Sequence, residues 1–189
     1  MFHERIGFEI SAALPDRRRL ARSLFRTERR PEETITLLGQ SVDLVRPEEV
    51  MHHVGRWVRA GRKAIVANHN LHSLYLVRRD HFWSLANSEG WRVMYVGGAP
   101  GVAERAAQSL SARAPGATIA VEHGYFDMTP GSVDNARVVA AANAFQPNIL
   151  FVGMGMPRQE AWIADNIAEL PCAVILSVGA AFDYEAGVQ

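Results

Sequence analysis

Hydrophobic residues in this chain fall into short unbroken runs, separated by longer stretches with helical spacing. Lys63 to Ala67, Trp91 to Val96, Thr118 to Val121, Asn148 to Val152 and Ala173 to Val178 are the runs. Each is bounded by glycine, proline or polar clusters, a pattern that predicts strands buried on both faces. Pro47 opens a helix with Glu48 and Glu49 in its first turn, where the helix dipole favours acids. Val50, Val54, Trp57 and Val58 supply its apolar stripe, and Gly61 ends it. Pro100 to Ala114, Ser132 to Phe145 and Arg158 to Ala168 predict further helices, stopped by Pro115-Gly116, Pro147 and Pro171. The stretch between Asn70 and Trp91 also reads as helix. Upstream, Thr34 to Leu38 and Ser41 to Val45 predict a small hairpin turning at Gly39-Gln40.

Strands alternating with helices define an α/β domain: a Rossmann-like parallel sheet with helices on both faces, plus a small N-terminal hairpin. The 189 residues, 48% of them hydrophobic, suffice for one such core. The predicted division is a basic N-terminal arm over 1–31 and a single α/β domain over 32–189.

The charge balance is even, 20 basic against 20 acidic residues, so no global field attracts nucleic acid. Locally it is uneven: residues 1–31 hold eight arginines and four acids. Such a stretch is either a solvated arm or a contact for an anionic membrane face or acidic ligand. A single cysteine, Cys172, excludes an intrachain disulfide framework and fits a reducing compartment. Its place at the start of an apolar run marks it as a small core residue. Acids and arginines interrupt every apolar stretch near the N-terminus, unlike a signal peptide, and no run has the length of a membrane span. A cytoplasmic protein, at most peripheral to the membrane, is the expectation. Assembly into homo-oligomers is left open.

In parallel sheets ligands sit beyond the carboxyl ends of the strands, so the residues following each strand carry the functional signal. The turn Gly97-Gly98-Ala99-Pro100-Gly101 lets backbone N–H groups approach an anion at a helix N-terminus; a tight strand-to-helix turn needs glycine as well. It is neither a P-loop nor the spaced dinucleotide fingerprint. Tyr125 either stacks on or hydrogen-bonds to a sugar or base, or plugs the sheet edge. Asp183 either accepts a hydrogen bond from a uracil imide N–H or caps a turn. Gln159, in the first turn of its helix, either reaches ribose or phosphate or caps that helix. His69 and His72 have no third ligand at a convincing spacing, so no metal site is assigned.

Taken together these loops are far more specific than any one of them. The stretches Gly97-Gly-Ala-Pro-Gly-Val-Ala-Glu, His123-Gly-Tyr-Phe, Pro147-Asn-Ile-Leu-Phe-Val-Gly-Met-Gly-Met-Pro-Arg-Gln-Glu-Ala-Trp and Val178-Gly-Ala-Ala-Phe-Asp resemble, in order and spacing, motifs of the WecG/TagA/CpsF glycosyltransferases (glycosyltransferase family 26). The resemblance runs from about residue 34 to the end. It implies an inverting enzyme at the inner membrane face that uses a UDP-sugar as donor. The acceptor would be a saccharide on a polyprenyl diphosphate, in synthesis of common antigen, teichoic acid linkage units, capsule or exopolysaccharide. It implies no resident cofactor and leaves the metal requirement open. Gly124, Tyr125, Gln159 and Asp183 match positions that line the UDP site. Asn70 matches the asparagine of the family's Thr-Pro-Asn segment, whose threonine is Asn68 here.

Two departures are visible. Family members carry a further strand and an Asp-Gly loop between the Asn70 helix and the strand equivalent to Trp91–Val96, and that loop holds the proposed catalytic base. Here the junction falls near Arg79-Asp80-His81, and Asp80, although early in the pattern, is the one candidate for the base. Relatives also continue past the Phe-Asp motif with a basic, aromatic tail that docks on membrane. The expectation is a chain better at holding donor than at transferring sugar. The alternatives are a non-catalytic UDP-sugar-binding remnant, or an unrelated Rossmann-like oxidoreductase or methyltransferase. Against the last stands the missing glycine fingerprint, although Glu122 falls near the spacing of a ribose-binding acid.

Overall fold

The computed structural model describes residues 34–37, 40–43, 47–61, 63–67 and 80–188. Strands β1 (Thr34–Leu37) and β2 (Gln40–Asp43) pair antiparallel as a hairpin, but with Leu37 opposite Gln40. Gln40 therefore belongs to the strand, and the hairpin is centred one residue before the expected Gly39-Gln40 turn. Then follow α1 (Pro47–Arg59), β3 (Ala64–Ala67), α2 (Asp80–Ser88), β4 (Arg92–Gly97), α3 (Val102–Arg113) and β5 (Thr118–Glu122). The chain continues through α4 (Val133–Phe145), β6 (Ile149–Gly153), α5 (Arg158–Asn166), β7 (Val174–Ser177) and α6 (Ala181–Glu185). The predicted strands recur with ends moved by about one or two residues, within the ordinary ambiguity of element boundaries. Helix α6 was not expected. The basic arm lies outside the described residues.

Strands β3 to β7 form one parallel sheet in the order β3-β7-β6-β4-β5. Alternation along each strand splits its side chains between two cores, which is why the runs are apolar throughout. Val93, Tyr95, Ile149, Phe151, Val174 and Leu176 face a core shared with α1, α2, α3 and α6. Met94, Val96, Leu150, Val152 and Ile175 face a second core under α4 and α5. In the first, Phe82 meets Trp83 and Phe151 edge-on, at 4.9 and 5.1 Å between ring centroids. In the second, three buried polar residues satisfy one another. Trp162 Nε1 donates to Asn135 Oδ1 (2.7 Å), Asn135 Nδ2 to Asn166 Oδ1 (2.8 Å), and Asn166 Nδ2 back to the Trp162 carbonyl (2.8 Å). Cys172 is buried in this second core as expected, and burial pushes its thiol up to about 12.

The order of the strands decides where a ligand belongs. From β4 the chain runs outward to β5 through α3, then returns past β4 to β6 through α4 on the opposite face. It then continues away to β7 through α5. Neighbours β4 and β6 therefore send their connections in opposite directions. Such a switch point opens a crevice at the carboxyl ends of the two strands.

The amino ends of the strands are closed. The Arg92 N–H donates to Asn148 Oδ1 and the Asn148 N–H to the Arg92 carbonyl, both at 2.8 Å. The Arg92 guanidinium reaches the Phe145 carbonyl at 2.7 Å while lying over the Phe145 ring. Lys63 Nζ donates to the Ile167 carbonyl, and the Gly116 N–H to Asn87 Oδ1.

Candidate functional site

At the carboxyl ends, β4 and β6 finish in register on Gly97 and Gly153. A Cβ on Gly97 would lie 2.4 Å from the Gly153 carbonyl and 2.5 Å from Tyr95 Oη. One on Gly153 would lie 2.4 Å from the Gly179 carbonyl. Glycine is required at both because backbones touch there. A Cβ on Gly124, after β5, would lie 3.0 Å from both the Gly97 Cα and the Met154 Cγ. The floor of the crevice is thus bare backbone from several strand ends.

The sequence offered Gly97, Gly98 and Gly101 for anion approach, and the structure gives them different places. The space beside Gly97 is filled by protein. Gly98, at φ 65°, makes the turn out of β4; its N–H donates to the Gly153 carbonyl (3.3 Å) and its carbonyl accepts from Gly124 (2.9 Å). Gly101 precedes α3 at φ 81°, and a Cβ there would meet only the Arg105 guanidinium, at 3.7 Å.

Beneath this floor lies Tyr95, whose hydroxyl donates to the Gly153 carbonyl at 3.4 Å. Its ring stacks on Phe182 with centroids 3.9 Å apart and planes 8° from parallel. Burial, and then the charge of Asp183, push the phenol far up, so it stays protonated. The stack fixes the first turn of α6 and with it the residue after Phe182. Asp183 Oδ1 lies 3.0 Å from where a Gly98 Cβ would stand, fully buried and without a hydrogen-bond partner. Desolvation raises its carboxyl above the usual carboxylate range. A buried acceptor left unpaired is costly, so this oxygen calls for a donor.

Gln159 is 2% exposed, and its amide bridges elements. Its Oε1 accepts from the Gly179 N–H (3.1 Å) and its Nε2 donates to Glu160 Oε1 (2.7 Å). These bonds tie α5 to the loop after β7. Glu160 Oε2 is itself buried and unpartnered. Sequence reading passed over Glu160, because an acid in a helix first turn looks like ordinary dipole compensation. Tyr125 is 68% exposed, and the backbone beneath it is pinned by its N–H donating to His123 Nδ1 (3.3 Å). Arg158, also exposed, reaches the Gly124 carbonyl at 3.4 Å. Gly98, Gly124, Gln159 and Asp183 are therefore brought to one rim, with Tyr125 next to Gly124. Asp80 is the first residue of α2, where only its backbone is described. Asn70, His69 and His72 lie outside the described residues. Among the described residues, no three histidine, cysteine or acidic side chains are grouped to hold a metal.

Fold and rim together define a parallel α/β domain of Rossmann type, with a glycine-floored crevice at its switch point. A family model described as the glycosyl transferase WecG/TagA/CpsF family matches residues 79–189, and the chain belongs to that family. Among curated proteins it is similar to the N-acetylglucosaminyldiphosphoundecaprenol N-acetyl-beta-D-mannosaminyltransferases of Staphylococcus aureus strains NCTC 8325 and COL. Each is 28% identical over 147 residues, a match covering 75% of this chain and 56% of the relative. The chain thus spans little more than half the length of these relatives. Membership in the family removes the reading of an unrelated oxidoreductase or methyltransferase. No helix among the described residues is long and apolar enough to cross a membrane.

Proposed function

We propose that this chain holds a UDP-sugar in the crevice between β4 and β6 and serves an inverting glycosyl transfer to a polyprenyl-diphosphate-linked saccharide. One observation carries the reading: the buried, unpartnered Asp183 Oδ1 beside Gly98 at the switch point. A uracil imide N–H is a donor that suits it, and the exposed Tyr125 ring offers a stacking face nearby. In the transfer, the acceptor hydroxyl oxygen bonds to the sugar's anomeric carbon as the bond to the diphosphate breaks. The hydroxyl proton passes to a carboxylate base, and UDP departs with the bonding electrons. The acceptor class follows the relatives, whose names specify an N-acetylglucosaminyl diphosphoundecaprenol. The setting would be surface-polymer or exopolysaccharide synthesis at the inner membrane face.

A second reading, donor binding without efficient transfer, follows from the sequence, where the family's base-bearing strand and loop find no match between Asn70 and Trp91. Loss of a general base costs about 10²–10⁴-fold in rate. Turnover at about one per second or faster, with a UDP-sugar and a lipid-linked acceptor in detergent, would dismiss that second reading.

Thermal denaturation tests the primary one. UDP should raise the melting temperature progressively with concentration, while NAD and S-adenosylmethionine leave it unchanged. Absence of a shift at saturating UDP, in a folded sample, overturns the proposal.

A further inference from the structure

Two buried side-chain oxygens or nitrogens lack a hydrogen-bond partner among the described residues, and both are carboxylate oxygens at the carboxyl end of the sheet. Asp183 Oδ1 comes from α6, which packs in the first core, and Glu160 Oε2 from α5, which packs in the second. They come from the two opposite faces of the sheet. A nucleotide-sugar is a ligand with donors at two separated ends, an imide N–H on the base and hydroxyls on the hexose.

Glu160 has the features of a built contact. Its Oε1 is held by Gln159 Nε2 at 2.7 Å, and Gln159 is fixed in turn by the Gly179 N–H at 3.1 Å. The carboxylate is therefore anchored to the end of β7 through one buried amide. Gln159 satisfies one of its oxygens and leaves the other bare. The helix dipole explains an acid in this first turn, but an exposed acid would serve the dipole equally well. It does not explain why Oε2 is withdrawn from water with nothing to accept from. An uncompensated carboxylate oxygen is costly, and a hydroxyl makes a short, charge-assisted bond to it.

Resting on the nucleotide-sugar reading above, we infer that Glu160 Oε2 accepts a hydrogen bond from a ring hydroxyl of the donor's hexose. Gln159 is then the residue that positions Glu160. Asp183 grips the nucleotide end and Glu160 the sugar end. Glu160 thus senses the sugar and is indifferent to bare UDP.

The test is calorimetric titration of the wild-type chain, Glu160→Ala and Glu160→Gln with UDP, UDP-N-acetylglucosamine, UDP-N-acetylmannosamine and UDP-glucose. The quantity of interest is the ratio of each UDP-sugar's Kd to that of UDP. For at least one sugar it should rise about tenfold in Glu160→Ala and by less in Glu160→Gln, with the UDP affinity within about twofold of wild type. Glu160→Gln keeps the bond from Gln159 and guards against a variant that fails to fold. Ratios unchanged in both variants overturn the inference, and so does an equal loss of UDP and UDP-sugar affinity, which marks a structural role. A wild-type chain that does not bind UDP overturns the nucleotide-sugar reading itself. That outcome differs from UDP binding with unchanged ratios.

Discussion

The two ends of the sheet are built on opposite plans. At the amino end, polar groups find partners inside the protein: Asn148 with Arg92, Arg92 with Phe145, Asn87 with Gly116, Lys63 with Ile167. At the carboxyl end, two carboxylate oxygens are buried with none among the described residues. The amino end spends its side chains on stability. The carboxyl end holds groups whose partners must come from elsewhere, over a floor of backbone that no side chain can enter. Each unsatisfied buried group calls for an explanation, and the asymmetry makes the carboxyl end the candidate site.

The harshest break of this contrast is at the floor. Gly153→Ala places a methyl 2.4 Å from the Gly179 carbonyl and 2.7 Å from Tyr95 Oη, with rigid backbone on one side. Stability should fall by about 3 kcal/mol, the upper part of the usual overpacking range, as read by urea denaturation. A loss below about 0.5 kcal/mol would show that the strand ends are not locked together.

Asp183→Asn sharpens the contrast from the other side. UDP affinity should drop about ten- to hundredfold while the fold is preserved. The pH dependence has a definite sign. Desolvation raises the folded-state carboxyl, so the ionised group weighs against folding above that raised value, and the penalty fades as the proton returns. UDP needs the ionised acceptor, so wild-type affinity should decline as pH falls through the same range, and Asp183→Asn should lack that decline. Flat UDP affinity across the acidic range in both proteins would return Asp183 to a structural role.

At the amino end the effect is smaller and of the opposite kind. Asn148→Ala removes the 2.8 Å bond to the Arg92 N–H and should cost about 1 kcal/mol of stability. UDP affinity should remain that of the wild type. A variant that keeps its stability but loses UDP would reverse the assignment of the two ends.

Much of this architecture is legible in the residues. The apolar runs, with proline and glycine between them, locate every strand of the sheet, and the loops after them name the rim. Strand order is not legible, because nothing in Ile149–Gly153 says that it slips between β4 and β7. Helix α6 escapes because its five residues begin after Ala180, which has no side chain to cap it. Gln159 shows what spacing alone leaves unseen: its amide bonds Gly179 and Glu160 inside the protein, and an unpartnered oxygen belongs to its neighbour. Burial and pairing of single atoms arise from tertiary packing, which one-dimensional spacing does not encode.

The seclusion of Cys172 has a practical side. It is the chain's one cysteine, buried under α5 with its thiol pushed up to about 12, so it is almost wholly protonated and shielded at neutral pH. Thiol-directed reagents will pass it by in the folded protein. The molecule is therefore already a single-site labelling scaffold: a cysteine introduced beside the crevice, at exposed Met156 for example, will take a fluorophore or spin label alone. Occupancy of the crevice can then be followed in real time, without first removing a native thiol from the core.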